Sequence, residues 1–329
     1  KLEYIGDHAF GGCESINKFI ISSKITNINE GVFIGCSKLT EITIPKSVTT
    51  IESDSFNLCT SLNKITFDNP SSLISIKDRS FSVCTELEEI SIPYTVRSIG
   101  KSCFFGCIKL KKMTASYLTL IEESTFDGCA LLENIMIPYP TSSIGSFAFN
   151  KCSSLKNVHI PHSVVSINKS SFQNCTSLIE VTIPSSMKKI GPNAFKSCLS
   201  LEKITIPSSV EEIGESALEG CIKIKEIEMK ARITKINDRL FKGCNSLTEI
   251  DFPETVTEIG KESFCLCFGI RNIILPTYVI TIEERAFAGC AALEKIKIPK
   301  SVQQIGTDAF VQCTSLKKIK IPKNVKDIG

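Results

Sequence analysis

The chain has 329 residues, 42% of them hydrophobic, with no Trp, sixteen Cys and a formal net charge of +3. So small a net charge gives no electrostatic case for a nucleic-acid or anionic-membrane partner. No apolar run approaches the roughly 18 residues of a membrane span, so this segment is not expected to insert into a bilayer.

From the first residues onward one unit recurs. Fourteen cysteines fall in a single register, from Cys13, Cys36, Cys59 and Cys84 to Cys290 and Cys313, spaced 23 apart except for one 25 and one 22. Within a unit the elements follow a fixed order. Leu39-x-x-Ile42-x-Ile44 alternates apolar and polar residues, the signature of a strand with one buried face. Pro45 ends it, because Pro cannot donate to a ladder. Val48 and Ile51 then mark a short extended stretch, which later units close with a turn at Gly100, Gly191, Gly214, Gly260 or Gly306. Phe56 and Cys59 share a side at i and i+3, which fits a single helical or 3₁₀ turn. Gly before Cys, as at Gly12, Gly35 and Gly220, is read as close backbone approach.

Along the chain a few units depart from this order. Residues 68–72 (DNPSS) add two residues and remove the Pro, which reads as a surface loop. The units at 113–120 and 227–233 also lack Pro and read as drift within a regular stack. A single globular core would be near its limit at this length. Stacked coils contact only their neighbours, however, so residues 1–329 are expected to form one solenoid domain. The resulting fold class is an α/β repeat solenoid of about 14 coils. It has a parallel sheet on one face, with short helical or 3₁₀ turns and short extended segments elsewhere. Strands stacked at about 4.8 Å would make an array on the order of 65 Å long.

The string Ser-Leu-x-x-Ile-x-Ile-Pro-x-Ser-Val-x-x-Ile-Gly-x-x-Ala-Phe-x-x-Cys resembles the BspA-like, or Treponema pallidum-type, leucine-rich repeat. Residues 200–221 and 292–313 carry it nearly intact. The resemblance covers the whole chain and implies a right-handed leucine-rich-repeat stack. It also implies a surface or secreted adhesin-like protein that engages host or matrix protein. An intracellular scaffold, cytoplasmic and with reduced thiols, is the alternative.

The cysteine register reads as a column of small buried thiols whose weak S–H donors can reach backbone carbonyls. Cys103 stands where other units have Ala, and Cys265 is the candidate exposed thiol. Metal sites need converging ligands, and a ladder of single parallel side chains does not supply them. Of the three histidines, His159 lies on the exposed position of a strand and His162 follows Pro161. No nucleophile elbow, phosphate loop or carboxylate pair occurs, so no catalytic, cofactor or metal residue is assigned and the chain reads as a non-enzyme.

What varies is the outward row of the main strands. Thr182 and Thr205 lead into an acidic patch of Glu226, Glu228, Glu249 and Asp251, then a basic end of Lys295, Lys297, Lys318 and Lys320. This strip is the candidate docking surface for a protein ligand. Residues 1–6 and 324–329 occupy the same phase of the repeat, and the chain is therefore expected to be part of a longer protein.

Overall fold

The period-2 alternation of Ile becomes, in space, a ladder in which each strand pairs with the one a repeat earlier. The computed structural model describes residues 2–329. They divide into a first unit ending at Val164 and a second running from Val165 to Gly329. Seven of the register cysteines fall in each, from Cys13 to Cys152 and from Cys175 to Cys313.

In the first unit, strands Glu41–Ile44 and Lys64–Phe67 pair in parallel with Ile42 opposite Ile65 and Thr43 opposite Thr66. A second column of two-residue strands runs through Asn27–Ile28, Thr50–Ile51, Ser75–Ile76 and Ser98–Ile99. Thr50 pairs with Ser75, so the two extra residues at 68–72 leave the register intact and sit in a loop. The second unit repeats the plan. Lys203–Ile206, Glu226–Met229 and Glu249–Ile250 form one parallel sheet. Lys235–Ile236, Glu258–Ile259, Thr281–Ile282, Gln304–Ile305 and Asp327–Ile328 form the short-strand column.

Helical turns were expected in the Phe–Cys segment, and no helix occurs among the described residues. The fold is therefore a parallel-strand solenoid joined by turns, not an α/β one. The backbone explains why. Between Gly31 and Cys36, amides of Gly31, Phe33 and Gly35 donate out of the segment to the carbonyls of Ser53, Ser55 and Asn57, at 3.0, 2.8 and 2.7 Å. The amides of Ile34 and Cys36 close i→i+3 turns instead, each at 3.0 Å. Asn193, Phe195 and Ser197 do the same towards Glu215, Ala217 and Glu219 in the second unit. Two residues per segment, four apart, adopt the left-handed conformation that makes this possible, such as Asp54 (φ 58°) with Leu58 (φ 63°). A helix cannot continue through such residues. The Phe–Cys segment is thus a third inter-coil hydrogen-bonded column.

The glycines change roles accordingly. Gly35, before its Cys, has φ +70° and would place a Cβ no nearer than 3.7 Å to its neighbours, so it serves conformation and not close approach. Close approach belongs to the other set: a Cβ on Gly191 would stand 2.7 Å from the Asn168 carbonyl carbon.

Inward, the repeat builds two columns. In the first unit Phe33, Phe56, Phe81 and Phe104 stack face to face, with centroids 5.3 to 5.8 Å apart. In the second, Phe172 stacks on Phe195 at 5.4 Å, Leu218 interrupts, and the rings resume from Phe241. Beside them register thiols donate to a carbonyl 25 to 28 residues earlier, that of Phe or, for Cys244, of Leu218. Cys59 reaches Phe33 at 3.1 Å, and Cys198 reaches Phe172 at 3.2 Å. Every cysteine is free; thirteen are buried, and Cys13, Cys265 and Cys313 are half-buried. Cys103 is fully buried, as its Ala-like position implies. Burial pushes the thiols up, Cys107 and Cys221 to about 12.

Candidate interaction surface

A strand with one buried face leaves every second side chain outside. Thr182, Thr205, Glu226, Glu228, Glu249, Lys295 and Lys297 stand in strands of the second unit. Asp251 follows its strand, whereas Lys318 and Lys320 lie in a last coil that forms no main strand, where Ile319 and Ile321 are exposed as well. Thr182, Glu226, Glu249, Asp251, Lys295, Lys297, Lys318 and Lys320 are exposed, and Thr205 and Glu228 are half-buried. The apolar residues between them face in, as Ile204 and Ile227 do at 1% and 2% exposure.

The face is organised by the pairing of one coil with the next. Lys203 stands opposite Glu226, and their side chains form an ion pair at 3.1 Å. Thr205 stands opposite Glu228 and donates its hydroxyl to the carboxylate at 2.9 Å. Lys230 adds an ion pair to Glu228 at 2.9 Å. Hydrogen bonds from Lys230 and then from Thr205 hold the Glu228 carboxyl below its ordinary range. The acidic patch therefore separates into two parts. Glu226 and Glu228 are engaged by neighbours, whereas Glu249 and Asp251 form no ion pair among the described residues. Reading the chain in one dimension missed Lys203 and Lys230. The 23-residue offset of Lys203 from Glu226 was the signal that could have found the first.

Three shallow depressions collect the candidates in groups. Thr182 and Thr205 share one of about 520 Å³ with Lys203. Glu249 and Asp251 share a second of about 520 Å³ with Ile274, whose side chain is 71% exposed in the same outward row. Lys297 and Lys320 share a third of about 700 Å³. Lys295 and Lys318 line none of the three. Like Glu249 and Asp251, and unlike Glu226 and Glu228, Lys295, Lys297, Lys318 and Lys320 have no ion-pair partner among the described residues.

Chemistry of other kinds finds little support in the geometry. Among the described residues no three His, Cys, Asp or Glu side chains converge as metal ligands. His159 and His162 are exposed. The thiol column is enclosed and its thiols are held protonated by burial, so it offers no thiolate nucleophile. Among the described residues no helix is long and apolar enough to cross a membrane.

A family model described as BspA type leucine rich repeat region (6 copies) matches residues 3–131, 119–248 and 234–329. Among solved structures, a leucine-rich repeat protein from Bacteroides ovatus is 28% identical with a TM-score of 0.71, covering 91% of this chain and 83% of its own. A leucine rich cell surface protein from Faecalibacterium prausnitzii is 26% identical with a TM-score of 0.52, over 89% and 82% of the two chains. A leucine-rich repeat protein from Eubacterium ventriosum shares the fold at 23% identity and a TM-score of 0.58, over 92% and 83%. No curated protein sequence matches the chain.

Proposed function

The chain belongs to the BspA-type leucine-rich-repeat family, and from that premise we propose that it is a non-enzymatic protein-binding module acting through the outward sheet face of its second unit. The observation that carries this reading is the contrast between inside and outside. Inward positions repeat Phe, Cys, Leu and Ile from coil to coil, whereas the outward row changes chemistry along the unit, from Thr through free carboxylates and Ile274 to free lysines. Solvation alone requires no such order, and an exposed Ile between opposite charges supplies the apolar contact that a protein interface centres on.

The setting proposed is the cell surface or the secreted space, with a host or matrix protein as partner. The likeness to the F. prausnitzii protein, described as a cell surface protein, supports it. The column of free, buried thiols favours a second reading, an intracellular scaffold in a reducing compartment.

Reversing the basic end tests the docking face. Lys297→Glu with Lys320→Glu is expected to leave stability within about 0.5 kcal/mol, because both residues are exposed and unpaired. Association with a partner isolated on the immobilised protein should slow, and its salt dependence should flatten, as steering charges are lost. Equal association rates for both forms at low and high salt would reduce the strip to a solvated face.

A further inference from the structure

We propose that the basic end of the second unit is a binding site for a sulfated glycan chain. The inference rests on reading this outward face as a binding surface and names a ligand class for its basic part.

Several lysines elsewhere in the second unit are neutralised by the next coil. Lys188 meets Glu211 at 2.7 Å, Lys235 meets Glu258 at 2.6 Å and Lys261 meets Glu284 at 2.8 Å, each 23 residues on. From residue 295 to 326 no lysine is paired in this way. Eight lysines and no arginine occur there, and Asp308, the one acid in the interval, pairs with Arg285 outside it. All eight lysines are exposed, and none has an ion-pair partner among the described residues.

Their placement is a grid. The coils remain in 23-residue register here, with Gln304 opposite Asp327 and the Lys326 amide donating to the Gln303 carbonyl at 2.9 Å. By that 23-residue offset Lys318, Lys320 and Lys323 take the positions in the last coil that Lys295, Lys297 and Lys300 take in the one before it. Six exposed lysines on two successive coils, with no carboxylate among them to offset their charge, make a site for external anions.

The ground between them selects the anion. Lys297, Lys300, Lys320 and Lys323 line a single depression of about 700 Å³ together with Pro299 and Pro322. Pro rings present C–H surface, on which the apolar face of a sugar ring can lie while its sulfates reach the ammonium groups. Single-stranded nucleic acid would call for aromatic platforms. Phe310 is the one aromatic residue in the interval, and it is stacked on Phe287 at 5.6 Å. Phosphate recognition by paired donors favours Arg, which is absent here, whereas Lys is a compact point charge suited to dispersed sulfates. A membrane surface would be met with exposed aromatic side chains, and the grid has none.

The test uses the whole chain and a defined heparin oligosaccharide, with desulfated heparin, oligo(dT) and phosphatidylserine vesicles as comparisons. The expected result is heparin binding that weakens with salt, is lost on desulfation, and exceeds binding to the other two polyanions. Lys300→Gln with Lys323→Gln lies outside the docking rows. It should lower the slope of log K against log salt by about 1.4, taking roughly 0.7 per neutralised charge. Lys223→Gln with Lys225→Gln, which removes the same charge from exposed positions of the same unit, should leave the slope unchanged. Absence of heparin binding, equal slopes for both pairs, or equal affinity for oligo(dT) or vesicles would overturn the glycan inference. The docking reading would survive that failure if Lys297→Glu with Lys320→Glu still slows the protein partner.

Discussion

Unfolding is expected to become steeply favourable as the pH rises from about 8 past about 10, because the unfolded chain releases thiol protons near pH 8.5 and the folded chain cannot. Burial raises the thiols of Cys198, Cys244, Cys267 and Cys290, with neighbouring thiols adding to the effect, and it lifts Cys221 to about 12. The hydrogen bond that each thiol gives a Phe or Leu carbonyl requires the proton to be present. A group whose folded pKa is raised contributes stability in full below its unfolded pKa, and that contribution is withdrawn as the pH climbs towards the folded value. Each thiol then withdraws about 1.4 kcal/mol per pH unit, and five together about 7, against the 5–15 kcal/mol typical of a domain. Denaturant titrations of the whole chain at successive pH values should give a slope of at least about five protons, falling by about two in Cys221→Ala with Cys244→Ala. A stability unchanged through pH 10.5 would place the thiols in contact with water.

Phe195→Ala is expected to cost about 3–5 kcal/mol, the range for truncating a fully buried Phe. The ring lies stacked on Phe172, interplanar angle 5°, and its removal opens a cavity that neighbouring coils cannot fill without breaking their own hydrogen bonds. Thr205→Ala is the matched control on the outward row. It loses one half-exposed hydrogen bond to Glu228, an acceptor that keeps its Lys230 partner, and should stay within about 0.5 kcal/mol. Denaturant melts giving the opposite order would mean that the faces of the coil are exchanged.

The inward columns were legible in the sequence because the same positions of the unit, in strand and turn alike, recur from coil to coil, and Phe, Cys and Ile there have one physical explanation, burial. The turn was not. A Phe–Cys spacing of i and i+3 suits a helical turn, and the left-handed residues that forbid it carry no common mark. Twenty are non-glycine, including Arg79, Phe147 and Glu262, and eight are glycine. Their conformation is imposed by inter-coil hydrogen bonds, a long-range cause that local propensity cannot report. Gly35 and Gly191 illustrate the same limit, since a conserved-looking glycine can serve a positive φ or close contact and letters do not distinguish them. On the outer face the charges were legible but their pairing was not. Glu228 and Asp251 look alike in sequence, yet one is held by Lys230 and Thr205 and the other is free among the described residues.

Everything said of the outer face depends on which residues face in, and a thiol titration tests that assignment most directly. A small thiol reagent applied to the native protein should label at most Cys13, Cys265 and Cys313, the three half-buried cysteines. After denaturation without reductant the remaining thirteen should react, Cys36, Cys152 and Cys198 among them. Labelling of most of the sixteen cysteines in the native state, or thiols missing after denaturation because they are locked in disulfides, would contradict the inward column and the docking face derived from it.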